Sequence, residues 1–530
     1  MLHAIRGPGW ASSALEHGAI FMGNRLFVVL LIAGSALLVC IAALSLAWPM
    51  MHDSPIMLYV AYLMARFHYV PYRDVFDMNM PGAYLLYLFV GGVFGYGDLG
   101  FRLADLLYLV AILTVTWSFL RQLGTRVAWC ATVVFGLAYL QAGPTMSLQR
   151  EYLILLPLAV AVLAATSLRR ARDWLRFAIV GLAFGMAATI KPHAAIGYPL
   201  VLAFQLYELR EHEPCKLSRR WRLLAVSCAG LAVPVLAALT CVLLAGALPS
   251  FLDVTRNYWP LYAELNERHR IVSGLARLRY LGRQYFSLGG HGLWLVPGVV
   301  GTLASLCQPV LDRGQKRQVL LLGGLACLYS IYPLFSGQFW DYHWLPFLYF
   351  LVLVASLCFV GQPAGRNRAV AILVPAVAIA AIVAIIRPPE TFYAQLAGRP
   401  IEAPVVARAR EIAAYLEEHL QEGDRVQPLD WTGGAVHAML IARAEIATPF
   451  IYDFHFYHHV SNPYTQDLRR RFLEALEASR PRFVIEVETR KPWVSGPGTS
   501  REFPELRGFL DGHYAPVFQG EGYTIHERVY

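Results

Sequence analysis

Long apolar runs without a single charge recur along the chain. Leu26–Met51, Leu223–Leu252, Gln318–Trp340, Tyr342–Gln362 and Ala369–Ile386 contain no Asp, Glu, Lys or Arg. A helix that crosses a bilayer needs about 20 mostly apolar residues, and each of these runs supplies them. Less uniform stretches at 100–120, 126–145, 152–168, 177–190, 192–207 and 291–311 bring the expected number of spans to about eleven. Met1 to Asn24 is polar and the apolar run after it is too long for a signal-peptide core, so the pattern predicts a retained first helix. Pro81 to Gly95 (PGAYLLYLFVGGVFG) is apolar but too short to span, and reads as a helix lying along the membrane surface. The pattern divides the chain into a membrane domain over 1–390 and a tail over 391–530. The membrane domain carries a first external loop at 49–100 and a second at 249–290. In the tail, Pro404–Gln421 and Thr465–Arg480 have helical periodicity, while Arg425–Leu429, Phe483–Glu486 and Tyr523–His526 read as strands. A small α/β domain is expected there.

Composition sharpens this picture. The 530 residues are 57% hydrophobic and only 15% charged, against about 25% charged in soluble globular chains. A cytosolic enzyme, a disordered regulator and a disulfide scaffold are all disfavoured. The net charge of +9 points to cytoplasmic loops rather than nucleic-acid binding. With the N-terminus in the cytoplasm and 81–95 on the surface, the basic clusters Arg169, Arg170, Arg172, Arg176 and Arg210, Lys216, Arg219, Arg220, Arg222 all fall inside. If 81–95 crossed the membrane, both would fall outside, against the positive-inside rule. Of eight cysteines none lies in the tail, so no disulfide framework is expected.

So few charges remain at the external face that each needs an explanation. Asp53 stands where the first span exits. Asp74 and Asp77 lie in YRDVFDMNMPG with Arg73; Arg150 and Glu151 open the span from 152; Lys191 and His193 occupy a tight turn; Asp341 and His343 lie in FWDYHW. A carboxylate at the water–lipid boundary can take a proton from a hydroxyl, and partial desolvation raises its pKa toward working pH. Lys or Arg can hold a phosphate leaving group. Together these parts suit transfer of a group from a lipid phosphate. Blander readings stand beside this one: Asp53 as a solvated helix end, Arg73–Asp74 as a loop ion pair, Glu151 at a helix N-terminus. Trp340, Tyr342 and Trp344 read as an interfacial belt. The tail cluster of Asp453, His455, His458 and His459 (DFHFYHHV) lacks a companion metal motif and reads as a surface or packing feature. No nucleotide-binding signature occurs in a suitable context.

The order of features resembles a known family. An acid at the first exit is followed by SPIMLYVAYLMARFHYV, then PYRDVFDMNMPGAYLLYLFVGGVFG, then FRLADLLYLV entering the next span. This is similar to the GT-C superfamily of polytopic glycosyltransferases, most closely its protein O-mannosyltransferase and lipid A aminoarabinose transferase branch. The turn IKPHAAIGYP and the stretch FWDYHWLP extend the likeness. The resemblance implies a GT-C-like α-helical membrane fold with interfacial helices in the first external loop. It implies a polyprenyl-phosphate sugar donor, an inverting transfer outside a bacterial inner membrane, and a periplasmic tail. The acceptor is a lipid, a polysaccharide or a protein. The family's loop acid falls on Asp53, as general base or acceptor-orienting group, with Asp77 and Glu151 as further catalytic candidates. Its turn lysine falls on Lys191, with Arg73 and Arg150 as further phosphate ligands. Asp74, His193, Asp341 and His343 are candidates for substrate binding. Some members use a divalent cation, which these residues alone do not imply. The chain departs from the family where a second acid often follows the first, and where Asn79 and Met80 precede Pro81 in place of a lysine. Two other readings stay open: a polymerase or ligase taking a lipid-linked oligosaccharide, suited by the arginines of 249–290, and a transporter of lipid-linked glycans.

Overall fold

The computed structural model describes residues 9–168, 171–212, 217–264, 274–287, 290–335, 339–361, 390–399, 403–488 and 497–529, plus positions 379, 381, 385, 386 and 494; of 9–24, 212, 390 and 391 it describes the backbone alone. Most of the expected span 369–386 lies outside the described residues. So do Arg268 and Arg270 of the second loop and Arg169, Arg170, Lys216, Arg366 and Arg368 of the expected cytoplasmic connections.

The first part of the chain forms α1 (Gly9–Leu44), α2 (Ser54–Phe67), α3 (Pro81–Phe94), α4 (Asp98–Leu120), α5 (Thr125–Gln141), α6 (Arg150–Leu153), α7 (Leu155–Thr166), α8 (Asp173–Ile190), α9 (Tyr198–His212) and α10 (Leu217–Leu244). Among the described residues, six helices are long and apolar enough to cross a membrane: Arg25–Ala47, Asp98–Leu120, Asp173–Ile190, Leu217–Leu244, Arg313–Phe335 and Asp341–Phe359. The expected spans at 126–145, 152–168, 192–207 and 291–311 each carry a shorter helix. Proline explains two of these. Pro144 follows the end of α5, and Pro192 stops α8 and opens a 3₁₀ turn at Pro192–Gly197. Small residues bring α8 and α10 into close contact. A Cβ on Gly181 would lie 2.0 Å from the Ser227 carbonyl oxygen, and one on Gly185 2.4 Å from that of Leu231.

The two loop helices are more enclosed than a surface helix would be. At 14 residues, α3 is about 21 Å long, short of the roughly 30 Å hydrocarbon core. It starts at Pro81, ends at Gly95 with φ of +85°, and approaches α8 so closely that a Cβ on Gly82 would strike Thr189. Residues Ser54 to Leu63 of α2 are buried, between α3 and the tail.

The tail forms a five-stranded sheet of order β2-β1-β3-β5-β4, with β1 Arg425–Leu429, β2 Glu445–Ile446, β3 Phe483–Val487, β4 Tyr514–Gly520 and β5 Tyr523–Arg528. The first three strands pair in parallel and the last three antiparallel. Helices Pro404–His419, Ala435–Ile441 and Pro463–Ser479 accompany them. This domain is strapped to the segment 49–100. The Tyr59 and Tyr62 hydroxyls donate to the carbonyls of Ala444 and Arg443 (2.8 and 3.1 Å), and the Phe76 N–H donates to Pro449 (2.7 Å). The Tyr452 hydroxyl donates to Asp77 Oδ1 (2.8 Å). Tyr452→Phe removes that charge-assisted bond and is expected to cost about 1.5–3 kcal/mol, read by thermal unfolding of the purified protein in detergent.

Candidate active site

Two acid–base units meet where α2, α6 and the end of α8 converge. In the first, Arg150 Nη2 donates to Asp53 Oδ2 at 2.6 Å, while His52 Nδ1 lies 3.0 Å from Asp53 Oδ1. Arg150 also donates to the Asn79 side-chain carbonyl and lies over the Tyr342 ring. In the second, Glu151 Oε1 is 3.2 Å from Lys191 Nζ and 3.5 Å from His343 Nε2. Glu151 is fully buried. The sequence neighbours Arg150 and Glu151 thus join their own segment to four others, those of His52–Asp53, Asn79, Lys191 and Tyr342–His343. Neither Glu151 oxygen has a well-formed hydrogen bond, nor has Arg150 Nε.

The electrostatics corrects one expectation. Burial alone pushes the Asp53 carboxyl up, but His52 and Arg150 outweigh it and hold the group well below the usual carboxylate range. Asp53 is therefore ionised, not poised near neutral pH as desolvation alone predicts. Glu151 behaves likewise: burial raises it, and Lys191, His343 and Arg150 together bring it down to about 2. Burial lowers Lys191, and Glu151 offsets only part of that. Burial and the nearby Lys191 drop His193 to about 3, so its imidazole is neutral.

Local folding sets these side chains in place. The turn before α6 puts Leu148 in the left-handed region, with φ of +49°, a strained position for a branched residue. Residues on α4 hold it there. Asp105 accepts from the Leu148 N–H (2.9 Å) and the Tyr139 hydroxyl. Arg102 donates to the hydroxyls of Ser147 (2.7 Å) and Ser45 (2.7 Å) and pairs with Asp105. The Ser54 hydroxyl donates to Ser147 O (3.0 Å) and the Tyr87 hydroxyl to Leu148 O (2.7 Å). Two charges one helical turn apart inside the apolar FRLADLLYLV run were the sequence signal for this clamp, which the spacing of the site residues alone does not show.

Beside the ionic units runs an apolar cavity of about 590 Å³ between α3, α7, α8 and α10. Its lining includes Gly82, Leu86, Leu156, Met186 and Pro234, and ends at Thr189 and Ile190, immediately before Lys191. On the Asp53 side stands a wall of rings: His52, Trp340, Tyr342 and Trp431. Tyr342 is buried and Trp340 half-buried in this wall, rather than forming a lipid-facing belt, while Trp344 is buried apart from it, against Tyr285, His291 and Phe347.

The other predicted residues are placed elsewhere. Asp77 is fully buried, and its oxygens accept from the hydroxyls of Tyr84 and Tyr452, the Asn79 amide and the Met78 N–H. It anchors the loop to the tail, and Asn79 stands between it and Arg150. Arg73 is exposed and tied to Asp74 and to Ala245 O (3.0 Å). Asp74 is taken by Arg73 and the Val70 N–H (2.8 Å). Both belong to the loop rather than to the charge cluster. Asp341 is exposed and lines a separate cavity with Gln284 and His291. The tail histidines are buried or half-buried clips. His458 Nε2 meets the Tyr258 hydroxyl at 3.2 Å, His459 Nε2 meets Leu261 O at 2.9 Å, and His455 is enclosed by Phe76, Tyr258 and Tyr452.

The donor set does not fit a divalent cation. Asp53 is committed to Arg150 and His52, and Glu151 to Lys191 and His343. Among the described residues no three His, Cys, Asp or Glu side chains converge as metal ligands.

No protein-family model and no curated protein sequence matches the chain. Solved structures do. ArnT from Cupriavidus metallidurans bound to undecaprenyl phosphate superposes with a TM-score of 0.58 over 94% of this chain and 98% of that one, at 13% identity. Its apo form gives 0.54 over 95% and 98%, at 15% identity. This chain has the ArnT fold. The expected GT-C resemblance, in its lipid A aminoarabinose transferase branch, is thereby shown at the level of fold. The likeness to ArnT runs through the tail as well as the membrane helices.

Proposed function

We propose that the protein is a membrane glycosyltransferase. It moves a sugar from a polyprenyl-phosphate donor to an acceptor at the outer face of a bacterial inner membrane, with the N-terminus cytoplasmic and the tail periplasmic. The observation that carries this reading is an apolar cavity whose lining reaches Ile190, next in sequence to Lys191, together with the Lys191–Glu151 and Arg150–Asp53 pairs that the adjacent residues Arg150 and Glu151 join. A lipid phosphate has this division into an apolar tail and an anionic head, and the ArnT structure contains undecaprenyl phosphate.

The chemistry follows from the charges. The prenyl chain lies in the groove and the phosphate faces Lys191 and Arg150. The acceptor oxygen or nitrogen attacks the anomeric carbon as the C1–O bond to phosphate breaks. The electron pair leaves with the polyprenyl phosphate, whose growing negative charge the two cations stabilise. A single displacement inverts the anomeric centre. The acceptor proton passes to Asp53. Because Arg150 and His52 keep this carboxylate ionised, it orients the acceptor from the start and takes the proton late, once attack has made the hydroxyl acidic.

Lys191→Ala is expected to raise the KM for a polyprenyl-phosphate monosaccharide by about tenfold or more, as loss of one charge-assisted contact implies, with partial recovery in Lys191→Arg. The same assay run with a polyprenyl-pyrophosphate oligosaccharide separates the polymerase or ligase reading. Release of sugar from the pyrophosphate donor alone would overturn the proposal.

A further inference from the structure

A second apolar cavity, of about 600 Å³, lies among the helices Gly292–Cys307, Arg313–Ser330 and Leu345–Ala355. It shares no lining residue with the cavity that ends beside Lys191. Tyr285, Phe286 and Ile331 line its head, and Thr302, Leu320 and Gly323 its deep end. Phe286 and Leu320 are exposed, so it is a groove that opens outward. From Ile331 to Leu320 it follows about 16 Å of helix. That is the depth of one leaflet in a bilayer whose hydrocarbon core is about 30 Å thick. The head lies on the side of the charged cluster, because Ile331 precedes Tyr332, whose ring packs on that of His193 at 4.3 Å. The described lining holds no charged side chain and no imidazole, so a lipid in this groove is held and not transformed.

A basic helix, Gly274–Phe286 (GLARLRYLGRQYF), caps the head. One of its faces is docked. The Tyr285 hydroxyl donates to Ser330 O (2.7 Å), the Tyr280 ring packs on Phe339 at 5.0 Å, and Arg277 turns inward over the same Phe339 ring. The turn that follows fixes the helix there: a Cβ on Gly290 would lie 2.4 Å from Gln284 O, and one on Gly292 2.4 Å from Phe286 O. Leu275, Arg279, Arg283 and Phe286 recur at helical spacing and share the other, exposed face. Arg283 thus stands one turn before Phe286, which lines the groove. Among the described residues neither Arg279 nor Arg283 meets a carboxylate. Apolar side chains flanked by arginines on one helix face suit the plane where acyl chains give way to headgroups.

Unpaired guanidinium groups beside a groove one leaflet deep match an anionic head on an apolar tail. We infer that the groove and the basic helix form a second lipid site, which takes one anionic glycerophospholipid from the leaflet on the side of the charged cluster. An acyl chain fills the groove, and the phosphate lies against Arg279 and Arg283. The site stands apart from the proposed transfer and does not depend on it.

Full-length protein in detergent is titrated with phosphatidylglycerol, phosphatidylethanolamine and undecaprenyl phosphate and read by native mass spectrometry. One phosphatidylglycerol is expected to bind about fivefold or more tighter than phosphatidylethanolamine. The double variant Arg279→Gln/Arg283→Gln should weaken phosphatidylglycerol by about tenfold or more, at roughly fivefold per arginine, and leave undecaprenyl phosphate unchanged. Both side chains are exposed, so the thermal midpoint should stay where it is. Gly323→Phe tests the groove itself. A Cβ there meets only the Thr302 methyl, at 3.7 Å, so the ring enters the cavity and should weaken phosphatidylglycerol by about fivefold or more. Equal binding of the two phospholipids, or phosphatidylglycerol binding untouched by the arginine pair or by Gly323→Phe, overturns the inference. So does a parallel loss of undecaprenyl phosphate in these variants, which would make this groove the donor's. Arginine-dependent phosphatidylglycerol binding without any transfer from a polyprenyl-phosphate sugar would keep the lipid site and remove the proposed reaction.

Discussion

Asp53→Asn is expected to lower transfer per folded molecule by about 10²–10⁴-fold, the usual contribution of a positioned general base. The amide still accepts a hydrogen bond from Arg150, so the local geometry is kept while the proton acceptor is lost. Asp53→Ala removes both and should also lower stability, because Arg150 is left with Asn79 as its remaining side-chain hydrogen-bond acceptor. The pH dependence gives a second reading of the same group. Its folded pKa lies below the unfolded value of about 4. The stabilisation it brings is thus fully present above that value and is lost as pH falls through it toward the folded pKa. Transfer should therefore show no acid limb from Asp53 between pH 5 and 8. An acid limb above the ordinary imidazole range that vanished in His52→Gln would instead assign the base to His52. Burial pushes that imidazole down, and Asp53 more than restores it.

The charged half of this site was legible in the sequence because the chain is so poor in charge. Asp53, Arg150, Glu151, Lys191 and His343 stand out against apolar neighbours, and the structure brings all five together. What a carboxylate does there was not legible. Asp53 and Asp77 look alike in sequence, each beside the start of a short apolar helix. One meets Arg150 at the cleft and the other is consumed by Tyr84 and by Tyr452, far along the chain. Pairing over such separations is set by tertiary packing, on which local pattern is silent. For the same reason Trp340 and Tyr342 read as a membrane belt, and Trp431 gave no signal at all. In the tail, the strands Arg425–Leu429 and Phe483–Val487 were visible because Val426 and Leu429 in the first and Phe483, Val484 and Ile485 in the second supply apolar positions. Glu445–Ile446 is too short for its alternation to show. Helix lengths were overestimated where proline cuts an apolar run, since a hydropathy pattern counts Pro144 and Pro192 as no more than neutral.

The largest effect on folding is expected at Arg102 and Asp105. Arg102 is 2% exposed and Asp105 0%, and removing one member of such a pair leaves a buried charge without its counter-ion, at a cost of about 3–5 kcal/mol. Asp105→Ala should accordingly lower the thermal midpoint in detergent more than any single change in the Asp53–Arg150 unit. The pair also positions the site, because it holds Ser147 and Leu148, and the strained Leu148 turn aims Arg150 and Glu151. Stability and activity should therefore come apart in the double variant Arg102→Met/Asp105→Leu. With both charges gone, much of the lost stability returns, because an apolar pair of similar volume is often no worse than a buried salt bridge. The Ser147 hydroxyl and the Leu148 N–H still lack their partners, so the turn is free to relax and transfer should stay depressed by tenfold or more, as a displacement of about 1 Å at reacting groups implies. If activity returned in step with the thermal midpoint, the clamp would be a matter of stability alone, and the aim of Arg150 and Glu151 would have to come from the Ser54 and Tyr87 hydroxyls.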